Sequence, residues 1–390
     1  MFEEEGLDAK RVFKELDEIL EADTSYEAGT PIASMSSIPH RISSRIMAQH
    51  VQRNLGRKHT FPGSAKIERK VVQMIGDLVH LANPYGTTTS GGTESNILAM
   101  VAARETAQVD KPEIIAPKTV HSSVDKAAWL LGVELIKTSV DSQYRAVPEE
   151  IEEAINESTV GIFVTAGTTY LGQIDPIDQI GTIAIDNGLP LHVDAAFGGF
   201  VIPFLDDLGL GKHPFGFEVP GVTSVSVDPH KTGLAPIPSG CLLFRKEKHL
   251  QAITRNVPYI PFDSKIPTLL GTRPAAPVVA TWAIMKHLGR EGYQSIVKDC
   301  MSVTEFAHER TRENPHLQCA IEPVLNILGI TSQRISIDTI VREMEKRGWR
   351  MGSSPLPESF RMVIVPHVTE KVVNSFFTDL NEITKSLGTD

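Results

Sequence analysis

The chain has 390 residues, of which 41% are hydrophobic and 22% are charged, and its formal net charge is −10. These proportions are typical of an ordinary globular protein, and the length predicts one large α/β domain together with a smaller one. The acidic balance argues against a nucleic-acid-binding protein, because contacts to phosphates need a basic surface. We therefore expect a small-molecule substrate.

The N-terminus and the cysteines predict a cytoplasmic protein. The first residues, MFEEE, lack the basic and apolar stretches of a signal peptide, and no apolar run reaches the ~20 residues of a membrane span. Cys241, Cys300 and Cys319 are widely spaced, which is typical of packing residues in a reducing compartment and not of a disulfide framework or a zinc site. We expect neither a membrane segment nor a bound metal.

An amphipathic helix is predicted for residues 7–21. Its apolar face is formed by Val12, Phe13, Leu16, Ile19 and Leu20. Such a face must pack on its own domain or on a second subunit. Irregular segments follow at 29–39 and 54–63, and the second is rich in His, Arg and Lys. It either lines an anionic pocket or is a solvated charged loop.

A helix is predicted for residues 65–81, and a glycine-containing turn then connects a threonine-rich strand at 86–90 to an apolar helix at 97–103. Gly91 and Gly92 let the backbone approach a ligand where that helix begins, and the free N–H groups there favour an anion. Neither a GxGxxG motif nor a Walker lysine is present, which excludes dinucleotide and nucleoside-triphosphate loops. A phosphate site and a plain turn both remain open.

Short apolar strands alternate with helices from residue 114 to residue 244. Strands are predicted at 114–116, 133–138, 161–166, 191–194, 224–227 and 241–244, and helices at 121–131, 148–156 and 177–187. This alternation predicts a mainly parallel sheet covered on both faces, whose ligands bind outside the carboxyl ends of the strands. The polar residues at such ends are Thr93, His121, Thr169, Asp194 and Lys231.

Lys231 and Asp194 each follow an apolar strand. An amine and a carboxylate at neighbouring strand ends are what pyridoxal phosphate needs, because the amine forms a Schiff base and the anion keeps the pyridine nitrogen protonated. A buried ion pair without a cofactor is the alternative.

The remainder of the chain predicts a smaller α+β domain. A proline-punctuated segment at 257–267 is either a lid or a solvated loop. Helices are predicted at 277–288, 293–312, 336–347 and 369–387, and strands at 318–330, interrupted by a proline, and at 360–365. We expect an N-terminal helical segment at 1–58, a large domain at 59–275 and a small domain at 276–390.

Five motifs in this order identify a family resemblance. They are TSGGTESN at 89–96, HSSV at 121–124, GTT at 167–169, HVDAA at 192–196 and DPHK at 228–231. Together they resemble the group II pyridoxal-phosphate decarboxylases, and the chain is most similar to the archaeal tyrosine/aspartate decarboxylases over residues 26–368. The resemblance implies the pyridoxal-phosphate-dependent transferase-like fold of type I and a homodimer with its sites at the subunit interface.

The resemblance also implies the roles of the residues that bind the cofactor, pyridoxal 5'-phosphate. Lys231 would hold it covalently, and Asp194 would pair with its ring nitrogen. Gly92 and Thr93 would bind the phosphate.

Further roles around the ring follow from the same resemblance. His121 would stack on the ring face opposite Ala196, and Thr169 would bind near the ring hydroxyl or the substrate carboxylate. His230 would lie beside the Schiff base, where it or a lid residue returns a proton to Cα. Asp228 stands where animal relatives have asparagine, and near a phosphate it must be protonated or offset by a cation.

The expected reaction is decarboxylation of L-aspartate, giving β-alanine for coenzyme A, or of L-tyrosine, giving tyramine for methanofuran. Decarboxylation of L-glutamate and carbon–carbon cleavage of the sphingosine-phosphate lyase type are the alternatives. The candidates for binding a side-chain carboxylate are Arg57, His59, Arg273 and Arg361, and those for an aromatic slot are Phe61 and Tyr259.

Overall fold

The computed structural model describes residues 4–107, 109–259 and 265–388. The helices in these ranges are α1 (Ala9–Leu20), α2 (Arg41–Gln49), α3 (Pro62–Leu78), α4 (Gly92–Ala107), α5 (Ser122–Leu131), α6 (Pro148–Glu153), α7 (Ile177–Asp186), α8 (Ile202–Leu205), α9 (Glu247–Ile253), α10 (Ala276–Glu313), α11 (Ile337–Lys346) and α12 (Glu370–Leu387). The strands are β1 (Tyr85–Thr89), β2 (Glu113–Pro117), β3 (Glu134–Thr138), β4 (Thr159–Thr165), β5 (Leu191–Asp194), β6 (Val222–Val227), β7 (Gly240–Phe244), β8 (Arg255–Asn256), β9 (Lys265–Ile266), β10 (Gln318–Cys319), β11 (Ile327–Thr331), β12 (Ser353–Pro355) and β13 (Glu358–Val363).

The large sheet confirms the predicted α/β architecture. Its described strands lie in the order β1-β7-β6-β5-β4-β2-β3. Neighbouring strands from β3 to β6 pair in parallel, whereas β7 is antiparallel to both β6 and β1. Every residue of β4 and β5 is buried, because helices cover both faces of the sheet and the strands need no polar face. This arrangement directs the carboxyl ends of β4, β5 and β6 to one edge.

The smaller C-terminal part contains an antiparallel sheet, with its described strands in the order β10-β11-β13-β12. The strand predicted at 318–330, with an interruption at a proline, is two short strands, β10 and β11, which pair with each other. Pro323 lies in the connection, where its missing N–H removes no ladder hydrogen bond. The sequence analysis also missed α2, α9 and β12.

The range α10 contains two helical stretches, as predicted at 277–288 and 293–312, and they are separated by a kink at Gly289, whose non-helical backbone has a φ of 60°. Glycine adopts this left-handed conformation without steric cost. The start of α10 at Ala276 coincides with the predicted boundary at 275/276. The three predicted domain ranges stay a prediction, because one buried apolar cluster extends from Val193 in the large sheet to Phe360 and Phe376 in the C-terminal part.

Helix α1 presents an apolar face that the described part of the chain leaves exposed. None of its residues is buried within the described ranges, and the exposed fractions of Phe13 and Ile19 are 65% and 71%. Of the two packing sites predicted for this face, the described part of its own domain is therefore excluded.

None of the helices in the described ranges combines the length and the apolar character that crossing a bilayer requires.

A buried ion pair connects α3, β1 and the segment before α10. Arg273 Nη2 lies 2.5 Å from Glu68 Oε1, and Arg273 Nη1 donates to the carbonyl and hydroxyl oxygens of Thr88 at 2.9 and 2.8 Å. Burial acts to raise the pKa of Glu68, but Arg273 and Lys58 outweigh it, so that the pKa lies below its ordinary value. Arg273 therefore has a structural partner, which removes it from the candidates for binding substrate.

Replacing Arg273 by methionine should leave the Glu68 carboxylate buried without its main partner. We expect Arg273→Met to lower the free energy of unfolding by about 3 kcal/mol, measured by urea denaturation at neutral pH. The difference in free energy of unfolding between the wild type and Arg273→Met should become smaller as the pH falls and Glu68 becomes protonated. A carboxyl group with a lowered pKa contributes to stability only while it is ionised. The control is Arg69→Met, because Arg69 is exposed and lies on α3 next to Glu68. An equal loss of stability in Arg69→Met would contradict the structural role of Arg273.

Candidate active site

A cavity of about 300 Å³ lies at the carboxyl ends of β4, β5 and β6. All eight site residues predicted from the sequence line it, namely Gly92, Thr93, His121, Thr169, Asp194, Ala196, His230 and Lys231. They come together because parallel neighbours end at the same edge: Asp194 is the last residue of β5, and its partner on β6 is Ser226. The DPHK turn that follows β6 then presents Lys231 to the cavity.

Asp194 is a buried carboxylate with several hydrogen-bond donors. Asn96 Nδ2 donates to its Oδ2 at 2.7 Å, while the backbone N–H of Ala196 and the hydroxyl of Ser226 donate to its Oδ1 at 3.0 and 3.2 Å. Burial acts to raise the pKa of Asp194, but Lys231, Asn96 and the N–H of Ala196 outweigh it and hold the pKa below its ordinary value. The site therefore contains a carboxylate that is ionised at neutral pH.

A second row of side chains fixes Asn96. Its Oδ1 lies 3.0 Å from His192 Nε2, and His192 Nδ1 lies 2.9 Å from the hydroxyl of Ser224. Because Asn96 Nδ2 donates to Asp194, Oδ1 is the acceptor, so His192 carries its proton on Nε2 and accepts from Ser224. Burial lowers the pKa of His192 to about 4, which keeps the ring neutral.

The sequence analysis quoted Asn96 and His192 within motifs but gave them no role. A signal for both was present. His192 and Asp194 are two residues apart on β5 and therefore face the same side of the sheet. Asn96 is a buried amide in an apolar helix, a position that requires polar partners. Only the packing of α4 on the sheet identifies those partners.

His121 caps helix α5 with its own ring. Its Nδ1 accepts the backbone N–H of Ser123 at 3.2 Å and lies 2.9 Å from the hydroxyl of Ser123, which also lies 2.8 Å from Asn96 Nδ2. Burial lowers the pKa of His121, although Asp194 acts in the opposite direction. The imidazole is therefore neutral at pH 7, held in one orientation beside the Asp194 network, with its proton on Nε2.

The start of α4 brings backbone close to the cavity wall. A Cβ on Gly92 would lie 3.1 Å from the Cβ of Ala196, and a Cβ on Gly91 would lie 2.9 Å from Cε1 of His230. Gly91 also has a φ of 150°, which disfavours other residues. These two glycines leave room for a ligand group at the N-terminus of a helix, where N–H donors favour an anion.

Asp228 lies at the same end of the cavity. Its Oδ2 accepts the backbone N–H of Gly92 at 3.0 Å and is 3.6 Å from His230 Nε2 and 3.7 Å from Lys231 Nζ. Its Oδ1 is buried and has no hydrogen-bond partner among the described residues. Burial raises the pKa of Asp228 even though Lys231 and His230 lower it. The Asp228 carboxyl group therefore accepts the Gly92 N–H, which an anionic ligand would otherwise accept.

The ring of His230 is fixed from the side opposite Asp228. Its Nδ1 accepts the backbone N–H of Ser239 at 3.1 Å, so the neutral ring carries its proton on Nε2. Burial lowers the pKa of His230, although Asp228 acts to raise it. A proton on Nε2 is therefore held beside the cavity.

Arg361 is the arginine among the predicted substrate-binding residues that lies next to the cavity. Its Nη1 donates to the carbonyl oxygen of Thr169 at 2.9 Å and its Nε to that of Ala33 at 3.1 Å. Nη2 makes no hydrogen bond within the described chain. The cation also acts on His121 through its charge.

The other predicted substrate contacts lie elsewhere in the described structure. Arg57 and His59 are exposed, and the exposed fraction of Tyr259 is 80%. Phe61 is half-buried and does not line the described cavity. The predicted lid falls partly outside the described residues, at 260–264.

On the two sides of that gap, Arg255 and Asn256 of β8 pair with Lys265 and Ile266 of β9. The backbone N–H of Leu269 donates to Glu94 Oε1 at 3.1 Å. This contact joins the segment after β9 to the first turn of α4, beside the cavity.

The geometry corresponds to a known family. The model of the pyridoxal-dependent decarboxylase conserved domain matches residues 26–328, and the chain belongs to this family. It is a pyridoxal-phosphate-dependent amino-acid decarboxylase. The fit to pyridoxal phosphate is direct: the cavity holds a lysine, a buried anion, a neutral imidazole and a glycine-bounded helix N-terminus.

Relatives of known name cover almost the whole chain. A probable L-aspartate decarboxylase of Pyrococcus abyssi is 41% identical over 386 residues, which are 98% of this chain and 99% of the relative. A probable L-tyrosine/L-aspartate decarboxylase of Methanothermobacter thermautotrophicus is 40% identical over 92% of this chain and 98% of its own length.

Solved structures share the fold. The sphingosine-1-phosphate lyase of Burkholderia pseudomallei has a TM-score of 0.93 and 27% identity, covering 100% of this chain and 93% of its own. The glutamate decarboxylase of Lactobacillus brevis has a TM-score of 0.90 and 18% identity, covering 100% of this chain and 95% of its own. These similarities confirm the type of fold predicted from the motifs.

Replacing Lys231 should remove both colour and activity. Purified enzyme should absorb visible light through the cofactor bound to this amine, and Lys231→Ala should lose that band and nearly all release of carbon dioxide. Absorption spectra and a carbon dioxide assay measure the two effects. Lys126→Ala, at an exposed lysine on α5, is the control; a visible band in Lys231→Ala matching the wild type would exclude Lys231 as the attachment point.

Replacing Asn96 should weaken cofactor binding through Asp194. Loss of a hydrogen bond to a charged group predicts about 10- to 100-fold weaker binding, measured by titrating the cofactor-free Asn96→Ala variant with pyridoxal phosphate. The control is Asn326→Ala, since Asn326 is also buried but donates to the carbonyl oxygen of Ile364 in the C-terminal part. Equal losses in both variants would indicate general destabilisation and contradict the specific role.

Proposed function

We propose that the enzyme removes the α-carboxyl group of L-aspartate, with Lys231 and Asp194 as the central pair of the site. The observation that carries the proposal is the presence of this amine and of this carboxylate, whose pKa is lowered, in one cavity. When bound, pyridoxal phosphate would supply a pyridinium ring that accepts the electron pair left on Cα. Asp194 would hold the proton on the pyridine nitrogen, and the amine of Lys231 would attach the cofactor.

The remaining residues orient the cofactor. His121 and Ala196 both line the cavity and would hold the cofactor ring between them, and a ring held in one orientation would favour cleavage of one substrate bond. Gly92 and Thr93 would bind the phosphate. Because Asp228 accepts the N–H of Gly92, binding of a phosphate there requires Asp228 to be protonated or balanced by a cation, for which Lys231 is at 3.7 Å.

His230 is the proposed proton carrier to Cα. Its Nδ1 accepts the N–H of Ser239, so the neutral ring carries one proton, on Nε2. To deliver a proton to Cα, the ring must first take up a second proton and become an imidazolium. A group for this step must lie within reach of the reacting carbon, and His230 lines the same cavity as Lys231. Thr169 is proposed to bind near the ring hydroxyl or the substrate carboxylate.

The choice of L-aspartate rests on Arg361. Its Nε and Nη1 are held by two backbone carbonyls, one of them that of Thr169, so the guanidinium is preorganised with Nη2 available for a carboxylate. The names of the relatives support aspartate as well. L-tyrosine is the second candidate, supported by relatives named L-tyrosine/L-aspartate decarboxylase. A relative named L-aspartate/L-glutamate decarboxylase supports L-glutamate as a third.

Arg361→Gln should discriminate between acidic and neutral substrates. Losing a charge-assisted contact should lower kcat/KM for L-aspartate by about 100-fold, with a smaller effect on any turnover of L-tyrosine. Carbon dioxide release from both amino acids measures this, with exposed Arg350→Gln as the control. Equal losses for both substrates would show that Arg361 acts on the site in general and does not select a side-chain carboxylate.

Carbon–carbon cleavage is the alternative reaction, favoured by the 27% identity to a sphingosine-1-phosphate lyase. Arg361 and the aspartate decarboxylases at about 41% identity support decarboxylation. The stoichiometry of carbon dioxide released per amine formed distinguishes them, since a retro-aldol lyase releases an aldehyde and no carbon dioxide.

The enzyme is further proposed to be a cytoplasmic homodimer with active sites at the subunit interface, supplying β-alanine for coenzyme A, or tyramine for methanofuran where tyrosine is the substrate. The exposed apolar face of α1 supports the dimer, because burying it against a second copy removes large apolar side chains from water. Among the apolar residues of this face, Phe13 and Ile19 have the largest exposed fractions.

Charges placed on that face should separate the subunits. We expect Phe13→Asp/Leu16→Asp to shift the mass measured by light scattering from dimer to monomer and to lower activity, because each site would lose its interface. Glu15→Ala/Glu18→Ala alters the polar face of the same helix and should leave the dimer intact. A dimeric mass for the aspartate variant would rule out α1 as the essential contact.

A further inference from the structure

A cluster of metal-ligating side chains lies in the C-terminal part, away from the cofactor cavity. Glu305 and His308 are three residues apart on α10, so they share one face of the helix. Glu322 comes from the connection between β10 and β11. One ligand atom from each of the three residues lies within 4.8 Å of the other two.

His308 is the buried member of the cluster. Its side chain is 4% exposed, and His308 Nδ1 lies 3.5 Å from Glu322 Oε1. Within the described residues Nδ1 makes no hydrogen bond. A buried ring nitrogen without a partner is unfavourable, and here it faces a carboxylate that is itself an oxygen ligand. A cation between them would satisfy both.

The charged groups around the three ligands are compatible with a bound cation. Glu305 forms no ion pair within the described chain, whereas Glu322 has Arg312 Nη2 at 3.3 Å. That arginine is 60% exposed and can turn into solvent. Cys319 is close enough for its pKa to be influenced by Glu322 and Glu305, although burial is the main reason that this pKa is raised to about 11.

We propose that Glu305, His308 and Glu322 bind a divalent transition-metal ion of the zinc class. Imidazole and carboxylate together suit such ions, whereas calcium and magnesium prefer oxygen ligands alone. The spacing of the cysteines predicted no metal site, and this cluster requires none of them as a ligand. Its ligands come from elements that only tertiary folding brings together.

The ion would fasten the connection between β10 and β11 to α10. Leu325 follows Glu322 by three residues, and its Cδ1 would lie 3.2 Å from a Cβ built on Gly167, a residue that lines the cofactor cavity. The site therefore stabilises the wall behind the GTT segment without touching the reacting groups. Its role is structural and does not depend on the substrate.

Zinc binding to the cofactor-loaded enzyme tests the proposal, because the cofactor then occupies the other histidine-rich site. Equilibrium dialysis with elemental analysis should find one more zinc ion per chain in the wild type than in Glu305→Gln/Glu322→Gln. Zinc should also raise the thermal midpoint of the wild type by several degrees and leave that of the double variant unchanged. Both substituted residues are exposed, so the double variant should fold.

Glu309→Gln is the matched control, since Glu309 is an exposed carboxylate on the same helix outside the cluster. It should bind zinc and gain thermal stability as the wild type does. The proposal is overturned if the wild type binds no more zinc than the double variant, or if Glu309→Gln loses as much binding as the double variant.

Discussion

The buried carboxylate of Asp194 is the constraint on which the rest of the site depends. An anion at this depth is unfavourable unless donors surround it, and Asn96, Ser226 and the N–H of Ala196 provide them. Each donor comes from a different segment, so the charge is stable only when helix α4, strand β6 and the turn after β5 are all in place. The same arrangement keeps the pKa of the carboxylate below its ordinary value.

The neutral rings around this anion are as important as the charge itself. Burial lowers the pKa of His121, His192 and His230, and backbone or side-chain groups determine which ring nitrogen carries the proton. His192 connects Ser224 on β6 to Asn96 through hydrogen bonds at its two ring nitrogens. His121 and His230 line the cavity. Lys231 and Asp194 are an oppositely charged pair among the residues that line the described cavity. Asp228, whose pKa is raised by burial, adds little negative charge when protonated.

Two arginines that look equivalent in the sequence have different environments. Arg273 is buried against Glu68 and Thr88 and joins three elements of the fold. Arg361 is held by two carbonyl oxygens beside the cavity, through Nε and Nη1, and its Nη2 makes no hydrogen bond within the described residues. A guanidinium is useful for substrate binding only when its structural partners leave a donor available, and this depends on packing and not on residue type.

The sequence alone determined the parallel sheet, the eight residues around the cavity and the family, because apolar periodicity and the order of short motifs are local properties. It could not reveal the roles of Asn96 and His192, the antiparallel pairing of β10 with β11, or the cluster around His308. Each of these depends on contacts between segments that are distant along the chain. Hydrogen bonds and burial across such contacts exist only once the elements have packed, so only the tertiary structure decided them.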